Sequence, residues 1–356
     1  MRPTFSIICF TVLSGVGYGA WFLMGVGLAI GPICGAPQAT AHPVITLRTC
    51  HIPFFDHASL LLALLLVVAG LLASLGHLGK PSRAWRALSQ WRSSWLSREG
   101  VAALLTFVPA SLLVTHAAAE AWLIATATAD HVAPRSWNGL AWSEWIRPLL
   151  GAWLAAGSLG TVFCTANIYA SLKTIRAWHE RHVVPGYLLL AAYGGTLLVP
   201  AAATLDGMLH PVDHAILGCA ALVLAAAGAW LKLRYWRAID AQPATTAGHA
   251  TGLEHLGDVR SMEAPHTEES YLTHEMGFVL ARRHARKLRR IALWTAFAFP
   301  AALTGVGVIA QIAGAVSPAW HLLSWAALAS GAAGLFVERW LFFAEARHTV
   351  MAYYAR

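Results

Sequence analysis

Eight apolar runs, each long enough to cross a lipid bilayer, constrain the fold of this chain more than any other feature. They lie near residues 5–30, 57–78, 99–125, 147–171, 185–206, 213–231, 290–314 and 318–343. A helix of about 20 apolar residues can span the hydrocarbon core because it makes all its backbone hydrogen bonds internally. The sequence therefore predicts an all-α polytopic integral membrane protein. We expect a bundle of eight transmembrane helices that forms a single domain over residues 1–356.

Lysine and arginine are divided unequally between the two sides of this predicted bundle. Of the 25 in the chain, 22 lie on the side of both termini and loops 79–98, 172–184 and 232–289, or at the span ends beside it. Cytoplasmic loops carry the excess of positive charge in membrane proteins. We therefore expect a bacterial inner (plasma) membrane protein with both termini in the cytoplasm. Anionic lipid explains the basic pI of about 9.5 better than nucleic acid does.

The loop 232–289 is the one long polar insertion between the predicted spans. Its middle, 238–270, is rich in Pro, Thr, His, Glu and Gly and predicts a flexible segment. Its end, 271–290, has better helix formers and the basic run ARRHARKLRR. This pattern is typical of a surface helix, here leading into the seventh span.

The stretch from His77 to Gly100 connects the second and third spans and carries many cations. Gly79 is expected to end the second helix in a left-handed turn, since Pro81 cannot continue that helix. Ser97 is expected to cap the third helix, with Glu99 in its first turn. Most of the stretch fits the positive-inside rule and an aromatic belt. Its cations and tryptophans are Lys80, Arg83, Arg86, Arg92, Arg98, Trp85, Trp91 and Trp95.

His77 differs from its neighbours in its chemistry. An imidazole at the membrane end of a helix can exchange a proton near neutral pH and hydrogen-bond a polar headgroup. Further candidates lie within spans, where polar residues are costly. His116 and Glu120 share a helix face and are expected to pair, with a proton-path role as the less favoured alternative. The second, fourth and eighth spans all become polar at the predicted cytoplasmic side, which suggests a docking surface there.

Cysteine and histidine spacing gives no metal site. The five cysteines form no C-x-x-C, and three of them lie in apolar runs as packing residues. Cys34 and Cys50 share a loop on the external side, where a disulfide is permitted, and the spacing leaves that bond open. The span histidines His57, His77, His116 and His214 form no convincing pair at one depth, as a di-haem cytochrome b would need. Glycines such as Gly15, Gly19, Gly331 and Gly334 are spaced for close helix packing.

The motif H-L-G-x-P-x-R-A, from His77 to Ala84, resembles the second-helix signature of the dimethyl sulfoxide reductase anchor subunit family (DmsC). The following S-x-L-S-R-E, from Ser94 to Glu99, also matches. Three further stretches are similar to the proteobacterial branch that includes anchors of cytoplasmic sulfite dehydrogenases (SoeC). They are NIYASLKTIRAW from Asn167, EMGFVLARRHARKLR from Glu275 and VERWLFFAEARH from Val337.

This resemblance implies a membrane anchor that binds no haem or metal itself. Such an anchor holds a molybdopterin catalytic subunit and an iron–sulfur subunit, and exchanges electrons with a quinone, either menaquinone or ubiquinone. The family's quinol-site histidine corresponds to His77, with Gly79 and Arg83 in the same motif and Arg86 beside it. We expect the partner to dock on Lys80, Arg92, Arg98, Lys173 and Arg176. Lys80, Arg83 or Arg86 would stabilise negative charge developing on a quinone oxygen.

The expected orientation separates two branches of the family. A periplasmic sulfoxide reductase needs the quinone-proximal loops outside, whereas the charge count places them in the cytoplasm, as in the sulfite-oxidising type. The sequence leaves two alternatives: a haem-containing cytochrome b-type quinone subunit, and a transporter, for which the internal symmetry is weak. The substrate of the catalytic subunit, the quinone type and the direction of electron flow stay open.

Overall fold

A computed structural model describes residues 3–31, 33–34, 38–39, 46–47, 50–76, 78–129, 145–207, 210–242, 246–260, 262–263, 280–314 and 319–354. Within these residues, eight helices are long and apolar enough to cross a membrane. This confirms the predicted fold class, a polytopic all-α membrane bundle. The only strands among the described residues are four two-residue pieces in the connection between the first two spans.

The helices follow the order expected from the apolar runs. They are α1 (Phe5–Ile30), α2 (His57–Leu75), α3 (Trp95–Ala129), α4 (Ile146–Ala170), α5 (Val183–Ala202), α6 (Pro211–Ala241), the short α7 (Ala247–Thr251), α8 (Leu280–Leu293), α9 (Phe299–Ile312) and α10 (Ala319–Ala344). A π-helical turn (Trp294–Ala298) joins α8 to α9, so both belong to the seventh span. Short 3₁₀ helices cover Pro81–Gln90, Glu254–Leu256 and Thr349–Tyr354.

The small strands lie between α1 and α2. Strand β1 (Ile33–Cys34) pairs antiparallel with β4 (Cys50–His51), and β2 (Gln38–Ala39) pairs with β3 (Thr46–Leu47). In the first pair, Cys34 and Cys50 are direct partners across the ladder. The backbone therefore brings the two cysteines of this connection together.

The sixth span extends well beyond its predicted end at residue 231. Helix α6 is 31 residues long and continues to Ala241. The apolar run ends at Lys232, but Lys232, Tyr235 and Trp236 are buried against the rest of the bundle. The expected flexible segment 238–270 contains α7 and a 3₁₀ turn. The helix expected over 271–290 is present from Leu280 onward, and residues 271–279 lie outside the described residues.

The start of α3 differs from the expected capping pattern. Helix α2 ends at Leu75, and Gly76 follows in the right-handed region, so Gly79 does not end it in a left-handed turn. Helix α3 already begins at Trp95. Ser97 is buried and donates a hydrogen bond to the Ala87 carbonyl of the preceding 3₁₀ helix, instead of capping α3. Tertiary contacts with residues 81–94 have replaced the local cap.

Helix α1 is the centre of the first part of the bundle and packs against α2, α4 and α5. It approaches α5 closely where two glycines meet. A Cβ placed on Gly19 would lie 1.8 Å from the Ala191 carbonyl oxygen, and one on Gly195 would lie 2.4 Å from the Gly19 carbonyl carbon. Only residues without a side chain allow this approach. The packing role expected from the glycine spacing is confirmed at Gly19, whereas Gly15 meets nothing within 4 Å.

The π turn in the seventh span has a clear chemical cause. Pro300 has no N–H, so it cannot donate the usual helical hydrogen bond to the Ala296 carbonyl four residues earlier. The Tyr193 hydroxyl donates to this carbonyl at 2.6 Å. Ser330 Oγ donates to the neighbouring Thr295 carbonyl at 2.9 Å. Residues of α5 and α10 thus satisfy the carbonyls that the turn leaves free, as a membrane interior requires.

The bundle has two distinct faces. We define the basic face as the end where α1 begins and α10 ends, with segments 78–94, 171–182, 246–260 and 345–354. The opposite face carries the connections α1–α2, α5–α6 and α9–α10.

Candidate functional site

Three of the residues predicted to bind quinone, Gly79, Arg83 and Arg86, lie at the basic face, beyond the end of α2. His77 itself lies outside the described residues. Gly79, Lys80, Arg83 and Arg86 are exposed, with both arginines in the 3₁₀ helix Pro81–Gln90. This helix lies over the start of α3, where a Cβ on Gly100 would be 2.8 Å from Leu88. The basic connection is therefore an ordered cover on the bundle, which the sequence did not predict.

The arginines of this cover lie against the interleaved tryptophans. The guanidinium groups of Arg86, Arg92 and Arg98 are 5.5, 5.4 and 4.4 Å from the ring centroids of Trp85, Trp91 and Trp95 respectively. Arg98 also donates hydrogen bonds to the carbonyls of Trp91 at 3.1 Å and Arg92 at 2.7 Å. The Arg98 side chain thus stabilises the turn before α3 through these hydrogen bonds, whereas the Arg92 side chain is exposed.

The other predicted docking residues follow α4 on the same face. Lys173 is exposed, and an Nη of Arg176 lies 3.2 Å from Nε2 of His249 in α7. This segment is attached to the end of α10, because Trp178 donates to the Phe342 carbonyl at 3.0 Å and the Thr349 N–H donates to the Thr174 carbonyl at 3.0 Å. The residues around Lys173 and Arg176 thus form one surface with the chain's C-terminal segment.

A group of charged side chains is buried inside the spans beneath the basic face. Lys232 Nζ on α6 lies 2.5 Å from Glu338 Oε1 on α10. Arg339 makes a two-point contact with the same carboxylate, and its second bond measures 2.8 Å. Aromatic rings cover the cations: Lys232 lies 4.1 Å from the Tyr235 centroid and Arg339 lies 4.3 Å from that of Tyr187. Two cations and one anion are therefore enclosed in a low-dielectric environment.

A second ionic group lies closer to the basic face. Arg289 of α8 binds Asp240 through both Nη atoms, at 2.6 and 2.9 Å, and donates from Nε to Glu345 Oε1 at 2.9 Å. Glu345 follows α10, and burial raises the pKa of its carboxyl, although Arg289 opposes this shift. The three charges join α6, α8 and the end of α10 where these helices leave the membrane.

A narrow crevice connects the buried charges with α1 and α4. Its volume is about 30 Å³, room for roughly one or two water molecules. Thr165 and Arg339 line it, together with Tyr18 and Tyr187. Both tyrosine hydroxyls are buried and lack a hydrogen-bond partner of good geometry among the described residues. The crevice thus contains two tyrosine hydroxyls that are available to hydrogen-bond a water molecule, at the depth of the buried cations.

Glu99 is a further buried acid next to this crevice. It is 6% exposed and accepts a short hydrogen bond from Thr165 Oγ1, whose side chain lines the crevice. The sequence pattern assigns Glu99 to helix capping and Lys232 to a loop. The cost of charge inside a span could have identified Glu99, but Lys232 was missed because the predicted sixth span ended at residue 231, ten residues before the end of α6.

The predicted His116–Glu120 pair and the possibility of a metal site remain to be compared with the structure. The side chain of Glu120 lies outside the described residues, so the expected pairing with His116 stays a prediction. In the described part of the chain, no group of three or more His, Cys, Asp or Glu side chains is arranged to hold a metal ion.

Comparison with known proteins assigns this architecture to a family. The sequence profile described as "DMSO reductase anchor subunit (DmsC)" matches residues 1–127, which include the His77 motif and Glu99. A sulfite dehydrogenase subunit of Allochromatium vinosum is 32% identical over 369 aligned residues, covering 99% of this chain and 99% of that protein. The chain belongs to the DmsC anchor family. No solved structure matches it significantly.

Membership of the DmsC family confirms the resemblance found in the sequence. The protein is a multi-pass membrane anchor of an oxidoreductase complex. The family profile covers only the first three spans, whereas the similarity to the Allochromatium vinosum protein extends over all eight. Lys232, Glu338 and Arg339 thus lie in the part of this DmsC protein that the relative covers and the profile does not.

Proposed function

We propose that this protein is the quinone-reactive anchor of a molybdopterin oxidoreductase complex in a bacterial inner membrane. Its partners are an iron–sulfur subunit, which docks on the basic face, and a molybdopterin catalytic subunit. The termini and the basic face lie in the cytoplasm, and electrons pass from the iron–sulfur subunit to quinone. The similarity to a sulfite dehydrogenase subunit supports sulfite as the substrate of the catalytic partner.

The observation that carries this proposal is the buried polar group beneath the basic face. Ionisable side chains inside a membrane are costly and are usually kept for function. Here Arg339 and the buried hydroxyls of Tyr18 and Tyr187 line one crevice, and Glu99 is hydrogen-bonded to Thr165 in its wall, on the same side as the basic connection 78–94. Quinone reduction consumes two protons with its two electrons, so a quinone site needs proton-exchanging groups of this kind.

Each part of the basic face receives a role in this proposal. His77 hydrogen-bonds a quinone carbonyl and exchanges a proton with it. Gly79 leaves room beside the ring, since no described residue lies within 4 Å of the position of a Cβ there. Arg83 and Arg86 stabilise negative charge that develops on the quinone oxygen. Lys80, Arg92, Arg98, Lys173 and Arg176 present positive charge to the partner subunit.

The variant His77→Ala tests the central assignment in the assembled complex. We expect normal assembly and a fall in quinone-coupled turnover of roughly 100-fold, as for loss of a general acid–base group. His57→Ala is the matched control, because His57 begins the same helix at the opposite face. Normal quinone turnover in the His77 variant would show that the site lies elsewhere.

Two further measurements test the surroundings of the site. Reporter fusions at the C-terminus and within 246–260 should give cytoplasmic signals; periplasmic signals would instead favour a complex that faces outwards. The visible absorption spectrum of the purified anchor should lack Soret and alpha bands. Their presence would identify a haem-containing cytochrome b-type protein instead.

A further inference from the structure

A second, larger cavity lies at the opposite face, between α5, α6, α9 and α10. Its volume is about 440 Å³, within the range of roughly 300–1,000 Å³ typical of small-molecule sites. Its walls come from the last turns of α5 and α9 and the first turns of α6 and α10. His214 of this cavity and the buried Lys232 are both on α6, about 27 Å apart along the helix axis. The two sites are therefore separated by most of the bilayer.

The lining of this cavity is apolar with a few hydrogen-bonding groups. Leu197, Pro200, Leu303, Val308 and Leu323 provide apolar surface. Hydrogen-bonding and aromatic groups come from both ends of the cavity: Thr204, His214, Gln311, Trp320, His321 and Ser324. An imidazole or amide N–H can donate to a carbonyl oxygen, and an indole ring can stack on a flat ligand.

Charge distinguishes the possible ligands. Among the described residues that line the cavity there is no Lys, Arg, Asp or Glu. A phospholipid phosphate would have no permanent cation to bind there, and a cation would have no carboxylate. A neutral, flat, lipophilic ring with carbonyl oxygens satisfies both the apolar walls and the imidazole donors.

Access from the bilayer is consistent with such a ligand. Three large apolar side chains directly next to lining residues in the chain are each at least two-thirds exposed: Leu205, Ile312 and Leu322. Large exposed apolar side chains at this level of a membrane bundle contact lipid. A lipid-soluble molecule therefore meets this region of the protein by lateral diffusion.

We propose that this cavity is a second quinone-binding site, which holds the headgroup at the opposite face with His214 and His321 as hydrogen-bond donors. The choice of ligand class rests on the proposed function. The site binds and exchanges quinone with the membrane pool, and we assign it no electron transfer. It would keep a quinone bound to the anchor while another reacts at the basic face.

Photolabelling with an azido-quinone in lipid nanodiscs tests this proposal on the intact complex. We expect label on peptides from α6 and α9, and competition by excess unlabelled quinone. Gly307→Leu should reduce that label at least fivefold, because a Cβ at Gly307 lies 3.8 Å from Trp320 and a longer side chain fills the cavity. Gly305→Leu is the matched control, since Gly305 faces Leu222 and does not line the cavity. His214→Leu should also reduce the label, without filling space.

The outcomes separate this proposal from the function proposed above. Unchanged labelling of α6 and α9 in both Gly307→Leu and His214→Leu would overturn the second site. Native mass spectrometry of the wild-type complex and of Gly307→Leu would also overturn it, if the ligand lost in the variant were a phospholipid and not a quinone. His77→Ala should lower quinone-coupled turnover roughly 100-fold but retain the label in this cavity. A complex that never reduces quinone, but is labelled here in a Gly307-dependent way, would refute the proposed function and leave this site standing.

Discussion

Nζ of Lys232 lies 2.5 Å from Oε1 of Glu338, and both side chains are buried within the bundle. Arg339 contacts the same carboxylate, so one anion holds two cations that α6 and α10 carry into the membrane. Removing water from these charges costs several kcal/mol per ion, and their mutual contacts, together with the aromatic rings over the cations, compensate for this. The arrangement is therefore sensitive to the loss of its single anion.

We predict that Glu338→Gln destabilises the protein by about 3–5 kcal/mol, because it removes the carboxylate that both buried cations contact. Lys232→Met should cost clearly less, since Glu338 keeps its contact with Arg339. Thermal unfolding in detergent, followed by size-exclusion chromatography, measures both. Lys173→Met, at an exposed lysine of the basic face, is the control and should change little. Equal losses for Glu338→Gln and Lys173→Met would contradict the assigned role of the carboxylate.

The hydrogen bond from Tyr193 to the π turn gives a second prediction. Tyr193→Phe removes the hydroxyl that donates to the Ala296 carbonyl inside the membrane and should cost about 1–3 kcal/mol of stability. Tyr18→Phe removes a buried hydroxyl that lacks a well-placed partner among the described residues, so it should be nearly neutral. The same unfolding assay compares the two variants. If Tyr18→Phe proved the more damaging, the explanation of the π turn would be wrong.

The contact between Glu99 and Thr165 predicts an effect on activity. If Glu99 exchanges protons with the quinone site, Glu99→Gln should lower the kcat of quinone turnover by roughly 100-fold, with little change in the KM for quinone. Thr165→Val should lower kcat less, because it removes the hydrogen bond and keeps the carboxyl. Ser111→Ala, on the exposed side of α3, serves as the control. Wild-type kcat in Glu99→Gln would exclude a proton-transfer role.

Asp56 predicts a dependence of stability on pH. Burial raises the pKa of its carboxyl to about 6, although Oδ1 accepts the Ser59 N–H at 2.6 Å. The folded state then holds the proton more tightly than the unfolded chain, whose aspartate pKa is about 3.9. The stabilisation is complete below the unfolded pKa and is lost as pH rises through 6, by up to about 3 kcal/mol.

Unfolding measured from pH 4 to pH 8 should show this loss in the wild-type protein. Asp56→Asn should remove this loss, because the asparagine amide does not ionise in this pH range. In the wild-type protein, Oδ2 of Asp56 has no hydrogen-bond partner among the described residues. If the stability of the wild-type protein instead rose with pH, and Asp56→Asn showed the same rise, the pH dependence assigned to Asp56 would be wrong.

The strand pairing predicts a disulfide that the sequence left open. Cys34 lies directly opposite Cys50 in the β1–β4 ladder, and cross-strand partners have Cα atoms about 4.5–5.5 Å apart, within the range for a disulfide. We expect alkylation of both cysteines, detected by mass spectrometry, only after reduction. Cys34→Ser should make Cys50 reactive without reductant. Full alkylation of both in the non-reduced wild-type protein would refute the bond.

The sequence alone determined the class of the protein, its eight spans and its family. Membrane insertion depends on the summed hydrophobicity of about 20 consecutive residues, which can be read locally. The family motif around His77 is likewise continuous in the chain. Helix ends were less certain: Lys232 ended an apolar run, whereas the helix continues to Ala241 because Glu338, from a span about 100 residues later, neutralises that lysine.

Only the tertiary structure decided which polar residues meet. Glu99 resembles a capping residue in the sequence, and its burial against Thr165 depends on the packing of α3 on α4. The cavity at the opposite face is formed by four helices whose lining residues are ordinary in each helix taken alone. Contacts between distant segments depend on how helices pack, and hydrophobicity along one segment carries no information about its neighbours in space.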